Sequence, residues 1–308
     1  MLIIEFWEVR GGKMPDIKLF KGDAVELLKN IESKSVDLIF ADPPYNLSGE
    51  KYLTCKSGRI AKCDKGDWDQ IENIYEFNKK WVKECIRVLK DDGTIWISGT
   101  LHNHPSIGVV LKELNLWIIN DIVWFKPNAP PLIQKNRFVP STELIWLASK
   151  SKRYYFDYEM AKRISGNGKQ MRNLWIIQAE KHKTPHPTEK PEKLLERIIL
   201  IGSKEGDIIL DPFMGSGTTG VVAKRLNRNF IGIEIDEKYF EIARERIENT
   251  RIEENLFKIL EKKDSRGPLE LYPVGMSENG LTSEIREKQT KLYKVKKKRK
   301  HSPKKRFL

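Results

Sequence analysis

The chain has 308 residues, of which 39% are hydrophobic and 32% are charged, a composition typical of a soluble globular protein with one large domain or two. No apolar run is long enough to cross a bilayer, and the short apolar start carries acidic residues, so we expect neither a membrane segment nor a signal peptide. The three cysteines, Cys55, Cys63 and Cys85, form neither a disulfide framework nor a close metal-binding pair, which indicates a reducing cytosol and no bound metal.

The net charge of +13 is concentrated near the C-terminal end. Residues 281–308 hold twelve Lys or Arg and two Glu, a net charge of +10, which leaves +3 for the rest of the chain. A basic tail either contacts nucleic acid or is a solvated end, so the overall charge alone does not indicate DNA binding. We expect partial disorder in this tail.

Short apolar runs alternate with amphipathic stretches, which predicts a doubly wound α/β sheet. The first unit is a strand at 17–20, a helix at 24–31 capped by Asp23, and a strand at 36–41, so these two strands should be parallel. Five further strands are predicted, the third of them as an antiparallel edge: 94–98, 116–124, 143–148, 207–210 and 230–235. Five further helices are predicted: 75–90, 105–114, 191–201, 218–226 and 238–248.

The strand at 36–41 ends abruptly in Asp42-Pro43-Pro44-Tyr45. Neither proline has an N–H to donate, and each restrains the residue before it to extended geometry. The result is a stiff corner with one carboxylate, free backbone carbonyls and one aromatic ring, which suits a planar ligand that offers an NH₂ group. Alternatively, the corner is a proline-rich turn that only ends a strand.

Two stretches interrupt the α/β alternation. Residues 46–71 are polar and long, as expected of a functional lid or a disordered loop. Residues 150–185 are basic and aromatic, as expected of an inserted recognition region, although they also suit a surface excursion with a small local core.

A glycine-rich loop follows the strand at 207–210. Gly215-Ser-Gly217-Thr-Thr-Gly220 opens a helix and has the spacing of a dinucleotide fingerprint, with Glu234 on the next strand. Asp211 precedes the first glycine, however, where a pyrophosphate would need amide donors rather than negative charge. A nucleoside joined to a zwitterionic amino acid, such as S-adenosylmethionine, fits these residues better. Ligands bind at the carboxyl ends of parallel strands, so one crevice could hold this cofactor beside Asp42.

Together, Asp42-Pro-Pro-Tyr45 and Asp211-Pro-Phe-Met-Gly-Ser-Gly-Thr-Thr219 resemble the amino-methylating DNA methyltransferases. The catalytic motif comes first, an order similar to the circularly permuted β group, and the resemblance covers about residues 17–249. It implies a mostly parallel, seven-stranded Rossmann-like sheet, S-adenosylmethionine as cofactor, and methylation of the N6 amine of a flipped adenine in double-stranded DNA. It further implies a prokaryotic cytoplasmic enzyme of restriction-modification or epigenetic marking. A cognate restriction endonuclease and a homodimer are left open.

The resemblance also implies roles for individual residues. The catalytic corner comprises Asp42, Pro43, Pro44 and Tyr45, and the target-base pocket is bordered by Trp124 and Lys126. The implied cofactor-binding residues are Asp23, Ala24, Thr188, Lys190, Asp211, Phe213, Met214, Gly215, Ser216, Gly217, Thr218, Thr219, Glu234 and Ile235. The implied parts of the chain are a leader at 1–16, a catalytic part at 17–149, a target recognition insertion at 150–185, a cofactor-binding part at 186–250 and a basic extension at 251–308.

Two alternatives remain open at this point. An N4-cytosine DNA methyltransferase would use the same amine chemistry, and only the family-level association of Asp-Pro-Pro-Tyr with adenine separates the two. An NAD-dependent oxidoreductase would use the glycine loop instead, although no second nucleotide-binding half is apparent. Cytosine C5 methylation would need a cysteine nucleophile, and none of the three cysteines stands in a Pro-Cys context.

Overall fold

The computed structural model describes residues 5–11, 14–45, 52–54, 60–62, 71, 73–131, 135–166, 168–179 and 189–252. The strands are β1 (Glu5–Gly11), β2 (Met14–Lys21), β3 (Val36–Ala41), β4 (Tyr52–Thr54), β5 (Ile60–Lys62), β6 (Leu89–Gly99), β7 (Trp117–Phe125), β8 (Thr142–Ser149), β9 (Leu174–Ile176), β10 (Ile208–Asp211) and β11 (Asn229–Glu234). The helices are α1 (Ala24–Leu28), α2 (Ile74–Val88), α3 (His104–Glu113), α4 (Tyr158–Ile164), α5 (Glu192–Gly202), α6 (Thr218–Arg225) and α7 (Glu237–Glu248). None of these helices combines the length and apolar character needed to cross a membrane.

A nine-stranded sheet with the order β1-β2-β11-β10-β3-β6-β8-β7-β9 forms the middle layer. Five neighbouring pairs are parallel, including the central run β2-β11-β10-β3-β6, and the pairs β1-β2, β6-β8 and β8-β7 are antiparallel. Strands β4 and β5 form a separate two-stranded sheet.

Apolar side chains cover both faces of the sheet, because side chains alternate along each strand. Phe40 of β3 packs in a core with α4, α5, α6 and α7, whereas Ile39 packs in a second core with α1, α2 and α3. The doubly wound α/β prediction is therefore confirmed.

The predicted number of strands was wrong, because nine strands form the sheet rather than seven. The two additional strands are the edges of the sheet. Strand β1 lies inside the predicted leader and pairs with β2, and strand β9 lies inside the predicted insertion and pairs with β7. Trp7 explains why β1 is part of the fold, since its ring packs against the core.

The strand predicted at 143–148 is antiparallel, as expected, but it is not an edge. Strand β8 lies between β6 and β7, and its residues Ile145, Leu147 and Ala148 are buried. Edge position cannot be inferred from the antiparallel direction alone, because β7 pairs with the side of β8 that faces away from β6.

The segment predicted as an insertion at 150–185 belongs to the body as far as residue 179. Met160, Ile164, Trp175 and Ile177 are buried members of the main core, so the small local core expected for this stretch is part of the large one. Residues 180–188 lie outside the described residues, as does most of 46–71 and nearly all of the extension after 250.

The arrangement of β3 and β10 positions the two sequence motifs. These strands are parallel neighbours, with Leu38 opposite Ile209 and Ile39 opposite Leu210. Their carboxyl ends therefore lie at the same edge of the sheet, where Asp42 follows β3 and Asp211 ends β10.

The contribution of β1 to stability can be tested on two neighbouring aromatic residues. Trp7→Ala should lower the free energy of unfolding by about 2–3 kcal/mol, because it removes a partly buried ring from the core. Phe6 is the matched control, since it is 45% exposed on the opposite face, and Phe6→Ala should cost less than about 1 kcal/mol. Urea unfolding of the full chain measures the free energy of unfolding of both variants. If neither substitution changed it, residues 1–16 would behave as a leader outside the fold.

Candidate active site

A cleft opens at the carboxyl ends of β2, β3, β10 and β11, with α2 and α7 beside it. Its described lining residues are Gly22, Asp23, Ala24, Asp42, Pro43, Pro44, Tyr45, Ile71, Phe77, Pro212, Phe213, Gly215, Ile233, Glu234, Ile235 and Tyr239. The predicted catalytic corner and part of the predicted cofactor site therefore share one cleft.

The Asp42 carboxylate is held from two sides. Its Oδ1 accepts a hydrogen bond from the Tyr45 hydroxyl, and its Oδ2 accepts one from Lys190 Nζ at 2.5 Å. Lys190 Nζ also donates to the Tyr45 hydroxyl at 3.0 Å, and Ser98 Oγ lies 3.2 Å from the same oxygen. These contacts fix the carboxylate, and each of its oxygens keeps a further lone pair that can accept a hydrogen bond.

A second carboxylate completes this buried charge network. Glu143 on β8 pairs with Lys190 at 3.5 Å and with Lys126 at 2.9 Å. Lys126 Nζ also lies over the ring of Trp124, 5.2 Å from its centroid. The charges balance, with two lysines against two carboxylates, which is the condition under which buried charges are tolerated.

The balance of charges sets the protonation states. Burial alone would lower the pKa of Lys190, but the carboxylates of Asp42 and Glu143 outweigh it and hold that pKa well above its usual value. Burial would likewise raise the pKa of Glu143, but Lys190 and Lys126 outweigh it and lower that pKa. Burial, together with the Asp42 carboxylate, raises the pKa of Tyr45 well above its usual value. Lys190 is therefore charged and Tyr45 remains a hydrogen-bond donor.

The glycine loop is built for close packing. Gly215 and Gly217 have positive φ angles of 52° and 80°, in the left-handed region that favours glycine. A side chain at Gly217 would come within 2.7 Å of Ala243 on α7, and one at Gly220 within 2.6 Å of Phe230 on β11. The loop and α6 therefore lie directly against their neighbours.

Asp211 supports this loop from below and does not line the cleft. It is 2% exposed, and its carboxylate accepts hydrogen bonds from Phe213 N at 3.0 Å and from Thr219 Oγ1 at 2.5 Å. Burial raises the pKa of Asp211 to about 7, although these two hydrogen bonds oppose the shift.

Glu234 and Asp23 form the far side of the cleft. The Glu234 carboxylate accepts hydrogen bonds from Gly215 N and Asp236 N, both at 2.8 Å, and burial raises its pKa despite these bonds. Asp23 caps α1, where it accepts a hydrogen bond from Glu26 N at 3.0 Å. The backbone of Gly22 donates to Glu234 O at 2.8 Å, which holds the two strand ends together.

The lining selects a class of ligand. Among the described lining residues there are three carboxylates, Asp23, Asp42 and Glu234, and neither lysine nor arginine. Such a lining disfavours a pyrophosphate and suits a cationic ligand with hydroxyl groups and a planar ring, for which Phe213 and Ile235 offer apolar surface. These residues fit S-adenosylmethionine and argue against the NAD alternative.

The structure brings some of the predicted cofactor residues to the cleft and places others behind it. Asp23, Ala24, Phe213, Gly215, Glu234 and Ile235 line it, whereas Asp211, Met214, Ser216, Gly217, Thr218, Thr219 and Lys190 are not among its lining residues. Thr188 lies outside the described residues.

The predicted target-base residues differ from expectation. Trp124 is 2% exposed, belongs to the main core and donates from Nε1 to Ile177 O at 2.8 Å. Its burial follows from β7 lying between β8 and β9. Lys126 is turned toward Glu143, so neither residue lines the cleft.

Several residues of the site were missed by sequence reasoning. Ser98 and Glu143 reach the catalytic corner from β6 and β8, and Phe77 and Tyr239 line the cleft from α2 and α7. Only Ser98 carried a usable signal, since it is a polar residue near the carboxyl end of a buried strand beside β3.

The fold is shared with solved structures, one of which is a DNA methyltransferase. The M1.HpyAVI–SAM complex aligns with a TM-score of 0.58 at 30% identity, over 75% of this chain and 98% of that one. The PvuII DNA methyltransferase, which is cytosine-N4-specific, shares the fold alone, with a TM-score of 0.59 at 20% identity over 84% of this chain and 97% of that one.

Comparison of the sequence with known proteins identifies the family to which the chain belongs. The profile of the DNA methylase family matches residues 36–245, and the chain belongs to that family. Type II methyltransferase M2.DpnII of Streptococcus pneumoniae is 47% identical over 240 residues, which cover 75% of this chain and 89% of that protein. Type II methyltransferase M2.MboI of Moraxella bovis is 43% identical over 253 residues, 79% of this chain and 92% of that protein. The predicted family and enzyme class are confirmed.

The buried Asp211 predicts a pH dependence of stability. Its pKa is about 7 in the fold against 3.8 as the unperturbed value, so the folded state binds the extra proton between these values. The free energy of unfolding should therefore fall as the pH rises from about 4 to 7, by up to about 1.4 kcal/mol per pH unit.

Asp211→Asn isolates this effect, because the amide cannot ionise. The wild-type free energy of unfolding minus that of the variant, from urea titrations at about pH 5, 6 and 7, should decrease along the series. Thr219→Val should extend the decrease to higher pH, since the hydrogen bond from Thr219 opposes the rise in the pKa of Asp211. A difference that stays constant with pH would contradict the raised pKa.

Proposed function

We propose that this DNA methyltransferase transfers the methyl group of S-adenosylmethionine to the N6 amine of an adenine that has been flipped out of double-stranded DNA. The observation that supports this proposal most directly is the juxtaposition of Asp42 and Pro43 with Gly215 and Glu234 in one cleft. The cleft can hold an amine beside a cationic methyl donor.

The chain's own contribution to the chemistry is to prepare the amine. The lone pair of an exocyclic amine is delocalised into the ring, so the nitrogen is a weak nucleophile. The Asp42 carboxylate and the Pro43 carbonyl can each accept one of its hydrogens and draw the nitrogen toward tetrahedral geometry. When bound, S-adenosylmethionine would supply the electrophilic methyl carbon and leave as S-adenosylhomocysteine, and Asp42 can accept the proton that the amine loses.

Tyr45 has two proposed roles in this scheme. Its hydroxyl holds Asp42 through the hydrogen bond that it donates to Oδ1. Its ring lines the cleft and is 6% exposed, so the predicted stacking on the flipped base would involve one edge or a shift of the ring. Stacking worth about 1–3 kcal/mol would offset much of the cost of flipping.

The proposed DNA-binding face is the edge of the sheet that holds the cleft. The loop after β7 rises from this edge and carries Phe138, which is 97% exposed, between the exposed Arg137 and Val139. Leu101, after β6, is 81% exposed at the same edge. Apolar side chains beside basic ones suit contact with an opened base step and its phosphates.

Sequence recognition is proposed for the segment 150–185. Its described part is anchored in the core by α4 and β9, while Lys169 and Arg172 are exposed. Rigid support of this kind would hold exposed side chains against the major groove.

The circularly permuted arrangement of the family's β group is also proposed for this chain. Its support is that the catalytic motif at Asp42 precedes the cofactor-loop motif at Asp211 in the sequence.

The biological setting is also a proposal. The Type II relatives favour a restriction-modification role, in which a cognate endonuclease would recognise the same site, and work on cellular DNA favours the cytoplasm. The homodimer stays a prediction. Among the described residues there is no group of three or more His, Cys, Asp or Glu that could hold a metal ion.

Asp42→Ala tests the mechanism. Methyl transfer from tritiated cofactor to unmethylated genomic DNA should fall by at least about 100-fold, because the acceptor for the amine hydrogen is gone. Cofactor binding should survive within a few-fold by calorimetry. Asp91→Asn is the control, since Asp91 is an exposed residue of β6 that pairs with Lys34 at 2.8 Å and is not among the cleft lining residues, and this variant should transfer normally. Near-normal turnover of Asp42→Ala would refute the mechanism.

The product identifies the base. Nucleosides from the methylated DNA, separated by chromatography and identified by mass, should contain N6-methyladenine. N4-methylcytosine would replace the adenine proposal with the N4-cytosine alternative, and sequencing that maps modified bases would give the recognised site.

Deletion of residues 281–308 tests the basic tail, which lies outside the described residues. The deletion removes a charge of +10, so DNA binding should weaken and its dependence on salt should flatten, by about 0.9 in log–log slope per lost phosphate contact. Titrations at several salt concentrations measure this slope. The methylated site should not change, and a changed site would assign recognition to the tail.

A further inference from the structure

Two adjacent residues before α5 contact the two halves of the cleft. The Lys190 side chain reaches Asp42 and Tyr45 at the catalytic corner, as described above. The side chain of its neighbour Glu189 turns to the cofactor loop, where it pairs with Arg246 Nη2 at 2.8 Å and accepts from Thr218 Oγ1 at 3.3 Å. The two side chains are only 6% and 8% exposed, so both charges are shielded from water.

Arg246 of α7 carries the Glu189 contact into the glycine loop. Its Nη1 donates to Ser216 O at 2.6 Å, to Ser216 Oγ at 3.0 Å and to Thr218 Oγ1 at 3.4 Å. The same helix packs against Gly217 through Ala243. Glu189 thus orients the guanidinium that holds the loop from outside.

We propose that Glu189 and Lys190 are positioning residues, here called the Glu189–Lys190 clasp, which fix the cofactor loop and the catalytic carboxylate relative to each other. This inference rests on the proposed function, and it differs from the cofactor-binding role that the family resemblance implied for Lys190. Consecutive residues are joined by one peptide unit, so a shift of either contact is transmitted directly to the other.

The position of Lys190 between two carboxylates explains why the ammonium is needed. Asp42 Oδ2 lies 2.5 Å and Glu143 Oε2 3.5 Å from Lys190 Nζ. Without the ammonium, two partly buried carboxylates would face one another, and one of them would take up a proton or turn away. A protonated or displaced Asp42 is a poorer acceptor for the substrate amine.

The charged and titratable groups around Asp42 determine how the rate of methyl transfer should depend on pH. Tyr45 comes from its own corner, Lys190 precedes α5, Glu143 acts through Lys190, and Asp211 interacts from the neighbouring strand end. Lys126 stays paired with Glu143, so removal of Lys190 takes away the cation that contacts Asp42 and makes ionisation of this acceptor harder. The acid limb of the transfer rate should therefore move to higher pH.

The test for Lys190 compares Lys190→Met with Lys190→Arg in the full chain. In single turnover with excess enzyme, saturating tritiated cofactor and unmethylated genomic DNA, Lys190→Met should be slower by about 100-fold, with its acid limb at higher pH. Lys190→Arg, which keeps the charge, should recover at least part of the rate and the wild-type acid limb. Circular dichroism of each variant establishes that it is folded.

The test for Glu189 is cofactor affinity. Glu189→Gln should raise the dissociation constant of S-adenosylmethionine by about 10-fold, since the loop loses a charge-assisted contact. It should also lower the single-turnover rate at saturating cofactor by at least about 3-fold, since a displaced Glu189 shifts the neighbouring Lys190 and its contact to Asp42. Glu192→Gln is the matched control: Glu192 pairs with Arg225 at 2.6 Å between α5 and α6, away from the cleft lining. It should change neither quantity.

The outcomes separate the two proposals. A wild-type protein that methylates no DNA would refute the proposed function, while the cofactor affinity of Glu189→Gln still tests the loop half of the clasp. If the wild-type protein transfers methyl groups and Lys190→Met keeps its rate and acid limb, the clasp is refuted. An unchanged cofactor affinity in Glu189→Gln would also refute it, as would equal effects in Glu192→Gln.

Discussion

The pairing of β3 with β10 is the contact on which the cleft depends. Two segments that are 171 positions apart in sequence meet as parallel neighbours, Leu38 beside Ile209. At their amino ends the Asp37 carboxylate accepts a hydrogen bond from Ile208 N at 2.9 Å, which fixes the register from the other side. A slip by one residue would exchange the two faces of β10. It would also move Asp42 away from the glycine loop, so register and catalysis are specified by the same contacts.

Electrostatics divides the cleft into two unequal parts. At the catalytic corner, Lys190 and Lys126 offset the partly buried carboxylates of Asp42 and Glu143. On the cofactor side, Asp23 and Glu234 line the cleft without lysine or arginine among the described lining residues, and Asp211 below the loop has a pKa raised to about 7 by burial. A cationic ligand would relieve this excess of negative charge. The corner is therefore organised in advance, whereas the cofactor side is completed by binding.

The elements that were predicted correctly are those whose sequence signals lie within the element itself. Three such elements are the strand before Asp42, the glycine loop, and the helix that follows the loop. Each is short, and the apolar run or turn residues that define it are adjacent in the chain. Strand β1 was missed because its seven residues precede a Gly-Gly break and gain their place only by pairing with β2. Strand β9 has three residues and is recognisable only beside β7.

Contacts between distant segments explain the errors in the site. Trp124 was expected at the base pocket, but pairing on both sides of β7 and a hydrogen bond to Ile177 bury its ring. Lys190 was expected at the cofactor, but Asp42 and Glu143, 148 and 47 positions away, offer two carboxylates to one ammonium. The sequence contains both partners, but it does not indicate that β8 lies beside β6 and brings Glu143 to the corner.

The glycine spacing at Gly215, Gly217 and Gly220 shows why a motif alone does not identify a ligand. In a dinucleotide site the same spacing frees backbone amides for a pyrophosphate. Here the Gly215 amide is used by the Glu234 carboxylate at 2.8 Å, and Gly217 and Gly220 serve the approach of α7 and β11. What the spacing specifies is close contact between loop, helix and strand. The ligand class is then decided by the carboxylates around the loop, which favour positive charge and hydroxyl groups over phosphate.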